Sequence, residues 1–202
     1  MSQNTSSRSV PRQSMWSFFR EFLRDRQRIG AIAPTSTGVG RHMARLAGVA
    51  EACTVVEFGA GTGAITAPVI EALPADARMW AYEIHDPFLA HLRERFDDPR
   101  VTFLNESAEA VRELRAREAP EGFDAIVCSI PFSLLPPVAT DGILAAAAAA
   151  LRPGGTFVAL QYHPTYLVPL LRRHFGSVRR EFHPFNLPPT LLITAREPRG
   201  DR

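Results

Sequence analysis

The sequence contains no lysine, so all 23 of its basic side chains are arginines. This absence excludes any chemistry that needs a lysine base, a lysine Schiff base or the lysine of a phosphate-binding P-loop. Against 21 acidic residues the net charge is only +2, which is too small to indicate a nucleic acid or an anionic membrane by itself.

Cysteines and long apolar runs are also scarce. Cys53 and Cys128 lie far apart, both beside apolar runs, and this predicts two buried free thiols with neither a disulfide nor a metal site. No run is apolar for long enough to span a bilayer and no signal peptide is visible, so we expect a cytoplasmic protein. A chain of 202 residues is typical of one domain.

Short apolar runs alternate with helical patterns along most of the chain. The predicted strands are 53–58, 79–83, 101–104, 124–129 and 156–162. The predicted helices between them are 63–73, 86–96, 107–118 and 141–151. This alternation indicates an α/β fold with a mostly parallel sheet. Two last runs, 178–185 and 191–197, have only a short connection and therefore predict an antiparallel hairpin, which brings the sheet to seven strands.

A glycine-rich loop follows the first predicted strand. In VVEFGAGTGAIT, Gly59, Gly61 and Gly63 stand between a strand and a helix, where glycines permit a sharp turn and a close backbone approach to a ligand. Gly59, Gly61 and Ala64 also satisfy the dinucleotide pattern G-x-G-x-x-G/A, and Glu83 lies about 20 residues further on. The loop alone leaves open which nucleotide-like ligand binds.

Three further features favour one ligand. Glu57 precedes the loop, and its carboxylate suits a cationic amino-acid group and repels a pyrophosphate. The polar segment NES (105–107) ends the third strand, and the predicted sheet closes on an antiparallel hairpin. With E-x-G-x-G-x-G at Glu57 to Gly63, residues 30–197 resemble the Rossmann-like S-adenosylmethionine-dependent methyltransferases.

The resemblance implies S-adenosyl-L-methionine as cofactor and S-adenosyl-L-homocysteine as product. Glu57 and the glycine loop would hold the methionine part, and Glu83 would bind both ribose hydroxyls. The remaining cofactor-binding residues that it implies are Ile84, Glu106, Ser107 and Ser129. Glu106 would take the adenine amine, although Asn105 or Ser107 could serve instead, and Ser129 would lie beside the sulfonium.

The end of the fourth strand bears on the methyl acceptor. It reads Ser129-Ile130-Pro131-Phe132, whereas relatives that methylate nucleic-acid bases often carry Asn-Pro-Pro-Tyr there. The segments RIGAIAPTS (28–36), SIPFSLLPP (129–137), LRPGG with QYHP (151–164) and NLPPT (186–190) together resemble the bacterial phospholipid N-methyltransferases. That family converts phosphatidylethanolamine to phosphatidylcholine. Ornithine-lipid enzymes look similar, RNA adenine or small-molecule amine methylation is the alternative, and a NAD-dependent oxidoreductase is a distant third.

The N-terminal segment fits a lipid substrate. Residues 1–13 predict a disordered tail, and residues 14–29 predict an amphipathic helix whose aromatic face lies opposite its arginines. Such a helix suits the membrane interface, so we expect peripheral attachment to the inner membrane. Residues 30–202 would then form the methyltransferase domain, acting as a monomer on a membrane phospholipid and not on nucleic acid.

Candidate acceptor-site residues follow from the ends of the fourth and fifth strands. Phe132 and Tyr162 are placed there to face a substrate cation with their π-electrons. His163 follows Tyr162 and could relay the proton of the amine. The lipid phosphate needs a cation, for which Arg180 is the first candidate and Arg26 the second. No metal is expected.

Overall fold

The computed structural model describes residues 37–184 and 189–199. The predicted tail (1–13), the predicted interfacial helix (14–29) with Arg26, and most of the NLPPT segment lie outside these residues. Within the described part, no helix is both long and apolar enough to cross a membrane.

A seven-stranded sheet forms the centre of the fold. Its strands are β1 (Thr54–Phe58), β2 (Arg78–Tyr82), β3 (Val101–Leu104), β4 (Phe123–Cys128), β5 (Leu151–Gln161), β6 (Phe175–His183) and β7 (Thr190–Pro198). The order across the sheet is β3-β2-β1-β4-β5-β7-β6, and β7 runs antiparallel to both of its neighbours. The predicted α/β Rossmann-like fold is therefore confirmed, with its parallel strands and its antiparallel C-terminal pair.

Six α-helices lie in the described ranges. They are α1 (Thr37–Ala47), α2 (Thr66–Ala72), α3 (Asp86–Arg95), α4 (Val111–Glu118), α5 (Pro137–Ala150) and α6 (Leu167–His174). The four predicted helices correspond to α2 to α5, whereas α1 and α6 were not predicted. Both additional helices bury one apolar face, as Val39 and Met43 show in α1 and Leu171 shows in α6.

The boundary between α5 and β5 corrects the predicted one. The helix begins at Pro137, four residues before its predicted start, because a proline fits the first turn of a helix without losing a hydrogen bond. It ends at Ala150, and the RPGG segment that follows the predicted helix lies inside β5. Leu151 pairs with Phe123 in the sheet, and the register then shifts before Ala125.

The sheet is covered on both faces, as parallel sheets require. On one face the buried side chains of Val56, Phe58 and Trp80 pack in a cluster with residues of α4, α5 and α6. On the other face Val55 and Met79 join a cluster built from α1, α2 and α3. The two apolar layers hold the parallel strands β1 to β5 so that their carboxyl ends form one edge.

The two cysteines differ in their exposure. Cys128 is fully buried, and burial raises the pKa of its thiol to about 12, so it stays protonated near neutral pH. Cys53 is exposed, which corrects the expectation that both thiols are buried. Cys53 precedes β1, where its backbone N–H donates to the Asp124 carboxylate instead of placing the side chain in the core. Both cysteines are free.

Replacement of two helical glycines by alanine should change the free energy of unfolding in opposite directions. A methyl group at Gly40 in α1 would collide with Cγ of Pro68 in α2, because the two helices touch there. At Gly142 in α5 the nearest atom would be the end of the exposed Glu109 side chain, 3.1 Å away, which can move. We expect Gly40→Ala to lower the free energy of unfolding by about 1–3 kcal/mol. Gly142→Ala should raise it by about 0.5–1 kcal/mol.

Urea denaturation of both variants measures these two changes. Equal effects of the two substitutions would contradict the close packing of α1 on α2.

Candidate active site

The candidate site lies at the carboxyl ends of β1 and β4. The strand order reverses between these two neighbours, because the chain proceeds from β1 outward to β3 and then returns to place β4 on the other side of β1. Open α/β sheets bind ligands in the crevice at such a reversal.

The glycine loop after β1 has a left-handed backbone at all three glycines. The φ angles of Gly59, Gly61 and Gly63 are 76°, 56° and 83°, values that side chains other than glycine rarely adopt. A methyl group at Gly63 would lie 2.5 Å from Cε2 of Phe96, so this glycine is also needed for packing. At Gly61 the nearest atom would be 4.0 Å away, and the loop is therefore open to a ligand at its centre.

Glu57 is a buried acid at the end of β1. Its side chain is fully buried, and one carboxylate oxygen accepts a hydrogen bond from Oγ1 of Thr66 at 2.7 Å. The other oxygen, Oε1, has no hydrogen-bond partner among the described residues. Burial, with a smaller contribution from the charge of Glu83, raises the pKa of Glu57 to about 8 although the hydrogen bond from Thr66 lowers it. A positively charged group at this position would favour the ionised carboxylate.

Glu83 follows β2 and holds the loop from the other side. Its two carboxylate oxygens accept hydrogen bonds from the backbone N–H groups of Gly61 at 2.7 Å and His85 at 2.8 Å. Burial raises the pKa of Glu83, while these hydrogen bonds lower it. The structure thus brings Glu57, Glu83 and the glycine loop together, as the motif implies, and Ile84 lies half-buried beside Glu83.

The polar segment after β3 lies beside the start of α3. Nδ2 of Asn105 donates to Asp86 at 2.6 Å, which joins the end of β3 to this helix. Glu106 is exposed, and Ser107 is half-buried and accepts a hydrogen bond from the backbone N–H of Glu109. The adenine-binding roles of Glu106 and Ser107 stay predictions.

Ser129 and a residue that was not predicted organise the end of β4. Oγ of Ser129 donates to the carbonyl oxygen of Gly59 at 2.5 Å, so this serine ties β4 to the glycine loop. Nε2 of the buried Gln161 donates to the carbonyl oxygen of Ile130 at 2.8 Å and fixes the segment that follows Ser129. The sequence feature that could have indicated Gln161 is its position as a single polar residue at the end of the apolar run TFVAL, immediately before Tyr162.

The four candidate acceptor-site residues within the described chain have different environments. Phe132 is fully buried in the apolar cluster that covers one face of the sheet, so its ring packs against protein. Tyr162 is half-buried, and His163 is exposed with its ring 6.2 Å from that of Tyr166. Arg180 is exposed and its Nη1 lies 3.4 Å from the carbonyl oxygen of Pro164. Their roles stay predictions.

The residues around the loop fit a cationic nucleoside better than a dinucleotide. A buried carboxylate oxygen without a partner, in a position that a cation would satisfy, disfavours a pyrophosphate at the same place. Glu57 and the open loop at Gly61 would hold an amino-acid part, and Glu83 would meet a ribose at the end of β2. These features are those that S-adenosylmethionine needs.

The fold and this loop define a class I S-adenosylmethionine-dependent methyltransferase domain. The family described as "Methyltransferase domain" matches residues 55–155, half of the chain, and the chain belongs to it. The match includes the glycine loop, the end of β2 and the end of β4.

Among individual proteins, the ornithine lipid N-methyltransferase of Singulisphaera acidiphila is 29% identical over 174 residues, covering 85% of this chain and 90% of that protein. Two solved structures share the fold. The N-methyltransferase NodS from Bradyrhizobium japonicum has a TM-score of 0.63 at 14% identity, over 80% of this chain and 96% of that one. A putative O-methyltransferase from Klebsiella pneumoniae has a TM-score of 0.63 at 18% identity, over 94% and 91%.

Replacement of Glu57 tests the charge of the site. In the folded protein the raised pKa keeps Glu57 protonated, whereas in the unfolded chain it ionises near 4.5. The stability that this group contributes is complete below pH 4.5 and is lost as pH rises to about 8. We expect Glu57→Gln to avoid that loss and to be about 1–3 kcal/mol more stable than the parent protein above pH 8.

The same variant should bind S-adenosylmethionine on the order of tenfold more weakly, because it cannot pair with a cation. Denaturation at several pH values and titration calorimetry measure the two effects. Glu71→Gln, an exposed acid of α2 paired with Arg41, is the matched control and should change neither. A stability difference that does not grow between pH 4.5 and 8 would contradict the assignment.

Proposed function

We propose that this methyltransferase transfers methyl groups to the amine of a membrane lipid, converting phosphatidylethanolamine through its mono- and dimethyl forms to phosphatidylcholine. The observation that carries the proposal is the match to an ornithine lipid N-methyltransferase over 85% of this chain and 90% of that protein. A similarity that covers this much of both chains extends well beyond the cofactor loop, which many methyltransferases share.

The name of this relative also favours a second head group. Ornithine carries a primary amine on a short side chain, as phosphatidylethanolamine carries one on its ethanolamine. The chemistry at nitrogen is the same, and the two lipids differ in the acidic group beside it. Because lysine is absent, arginine or backbone N–H groups would have to meet either anion, and the exposed Arg180 near Pro164 is the proposed contact.

The bound cofactor would supply an electrophilic methyl group, so the chain has to orient the amine and exclude water. The amine must reach the site without its proton, and a poorly hydrated surface favours the neutral form. Tyr162 and His163 follow β5 directly, and His163 is exposed enough to accept that proton. The Cys128 thiol is buried and its raised pKa of about 12 leaves it unable to act as the base.

An RNA base is a weaker candidate for the acceptor. Ser129 stands where base-methylating enzymes often have asparagine, and its hydroxyl already donates to Gly59 within the loop. The net charge of +2 is small for a protein that must bind a polyanion.

A vesicle assay tests the substrate. We expect the purified chain with S-adenosylmethionine to produce mono-, di- and trimethylated lipid from vesicles that contain phosphatidylethanolamine, as measured by mass spectrometry. Parallel reactions contain vesicles with ornithine lipid, or unmethylated RNA without lipid. Glu83→Ala serves as the inactive control, because it removes the carboxylate that holds Gly61.

Methylation of ornithine lipid alone would move the proposal to that head group. Methylation of RNA with no product in either lipid reaction would overturn it.

Attachment to the membrane is part of the same proposal. The segment 14–29 carries Trp16, Phe19 and Phe22 on one predicted helical face with arginines on the other, a pattern typical of helices that lie in the membrane interface. Anionic lipids would attract the arginines, and the aromatic rings would enter the boundary between head groups and acyl chains.

Vesicle flotation tests this attachment. We expect the full chain to float with anionic vesicles and the triple variant Trp16→Ser, Phe19→Ser, Phe22→Ser to lose most of that binding, because the aromatic area is removed. Phe182→Ser, which replaces an aromatic residue that is 64% exposed on β6, is the control and should float like the parent chain. Equal flotation of the triple variant would remove this role from the segment.

A further inference from the structure

A cluster of metal-ligating side chains lies away from the glycine loop, where α1 meets the edge strand β6. It consists of His42, Glu181 and His183, whose candidate ligand atoms all lie within 4.8 Å of one another. No metal was expected from the sequence, in which His42 lies 139 positions from Glu181.

The fold positions the three side chains independently of one another. Glu181 and His183 are two residues apart on β6, so both side chains project from the same face of the strand. His42 of α1 meets both of them at that face. The imidazole rings of His42 and His183 lie edge to face with their centroids 4.6 Å apart, and Nε2 of His42 is 2.9 Å from Glu181.

We propose that His42, Glu181 and His183 form a binding site for a divalent transition metal of the zinc type. Two imidazoles and one carboxylate are ligands that Zn²⁺ accepts, and water would complete a tetrahedral shell. Ligand atoms around tetrahedral zinc lie about 3.4 Å apart. The most widely separated pair therefore has to approach by up to about 1.4 Å, whereas His42 and Glu181, now 2.9 Å apart, have to separate slightly. They have room to do so, since Glu181 is exposed and both histidines are half-buried.

A metal bound by this cluster would join α1 to β6 near the edge of the sheet that carries the candidate active site. His183 lies opposite Thr190 in the register, and the hydroxyl of Thr190 donates to the carbonyl oxygen of Gln161 at 3.1 Å.

The positive charge of the neighbouring Arg45 should weaken metal binding at this cluster. Nη2 of the exposed Arg45 is 3.5 Å from Nδ1 of His42, which leaves Nε2 of that ring directed at Glu181. Binding of a metal through Nε2 requires the proton to move to Nδ1, and the contact with the guanidinium is then lost. Removal of Arg45 should therefore strengthen metal binding, whereas a merely structural ion pair between His42 and Glu181 predicts no such gain.

The test uses the full chain without a purification tag, treated with a chelator and then titrated with ZnCl₂ or CoCl₂. We expect one metal per chain by calorimetry, a visible absorption band typical of tetrahedral Co²⁺, and a rise in melting temperature with Zn²⁺. Glu181→Gln and His183→Gln should each weaken binding about tenfold or more, since each removes a ligand.

Two further variants make the result specific. His91→Gln changes an exposed histidine of α3 outside the cluster and should bind Zn²⁺ like the parent chain. Arg45→Gln should bind it more tightly. The proposal is overturned if His183→Gln retains the affinity of the parent chain, or if the parent chain takes up no metal while its melting curve shows that it is folded.

Discussion

The burial of the Glu57 carboxylate is the constraint on which the rest of the site depends. It stands at the end of a central strand, with the apolar residues of β2 and β4 on either side, and only one of its oxygens has a hydrogen-bond partner among the described residues. A second buried acid, Glu83, holds the glycine loop close by. Two buried carboxylates near each other disfavour the ionised state of both, so the folded domain without ligand is less stable than its packing alone would allow. A cationic ligand would reverse this, and a preference of the crevice for a sulfonium nucleoside would then have the same origin as the instability.

Much of the cofactor half of the site could be predicted from the sequence, because its determinants are local. Three glycines at alternate positions after an apolar strand specify a left-handed loop, and the acid before them is fixed by strand geometry. The antiparallel pair β6 and β7 could also be predicted from the sequence, since a short connection between two neighbouring strands requires an antiparallel arrangement.

The features that could not be predicted depend on tertiary packing. Helix α1 contains Gly38 and Gly40, which lower its intrinsic helical tendency, and it is held by its contact with Pro68 of α2. Helix α6 carries a proline in its first turn. From the sequence alone, a proline is equally consistent with a loop that interrupts a helix. Gln161 and Ile130 are 31 residues apart, and only the pairing of β4 with β5 brings them together. The proposed acceptor residues also lie in separate segments of the chain, so the substrate has to be inferred from similarity more than from local pattern.

The position of β7 between β5 and β6 has a consequence for how the molecule is made. A ribosome releases β6 before β7, yet among the described strands β6 pairs only with β7. Until β7 is synthesised, one side of β5 and both sides of β6 therefore offer unpaired backbone groups to other nascent chains. The charged side chains of Arg179, Arg180 and Glu181 along β6 are the kind that discourages such pairing. The pairing of β5, β7 and β6 therefore cannot be completed before β7 has been synthesised.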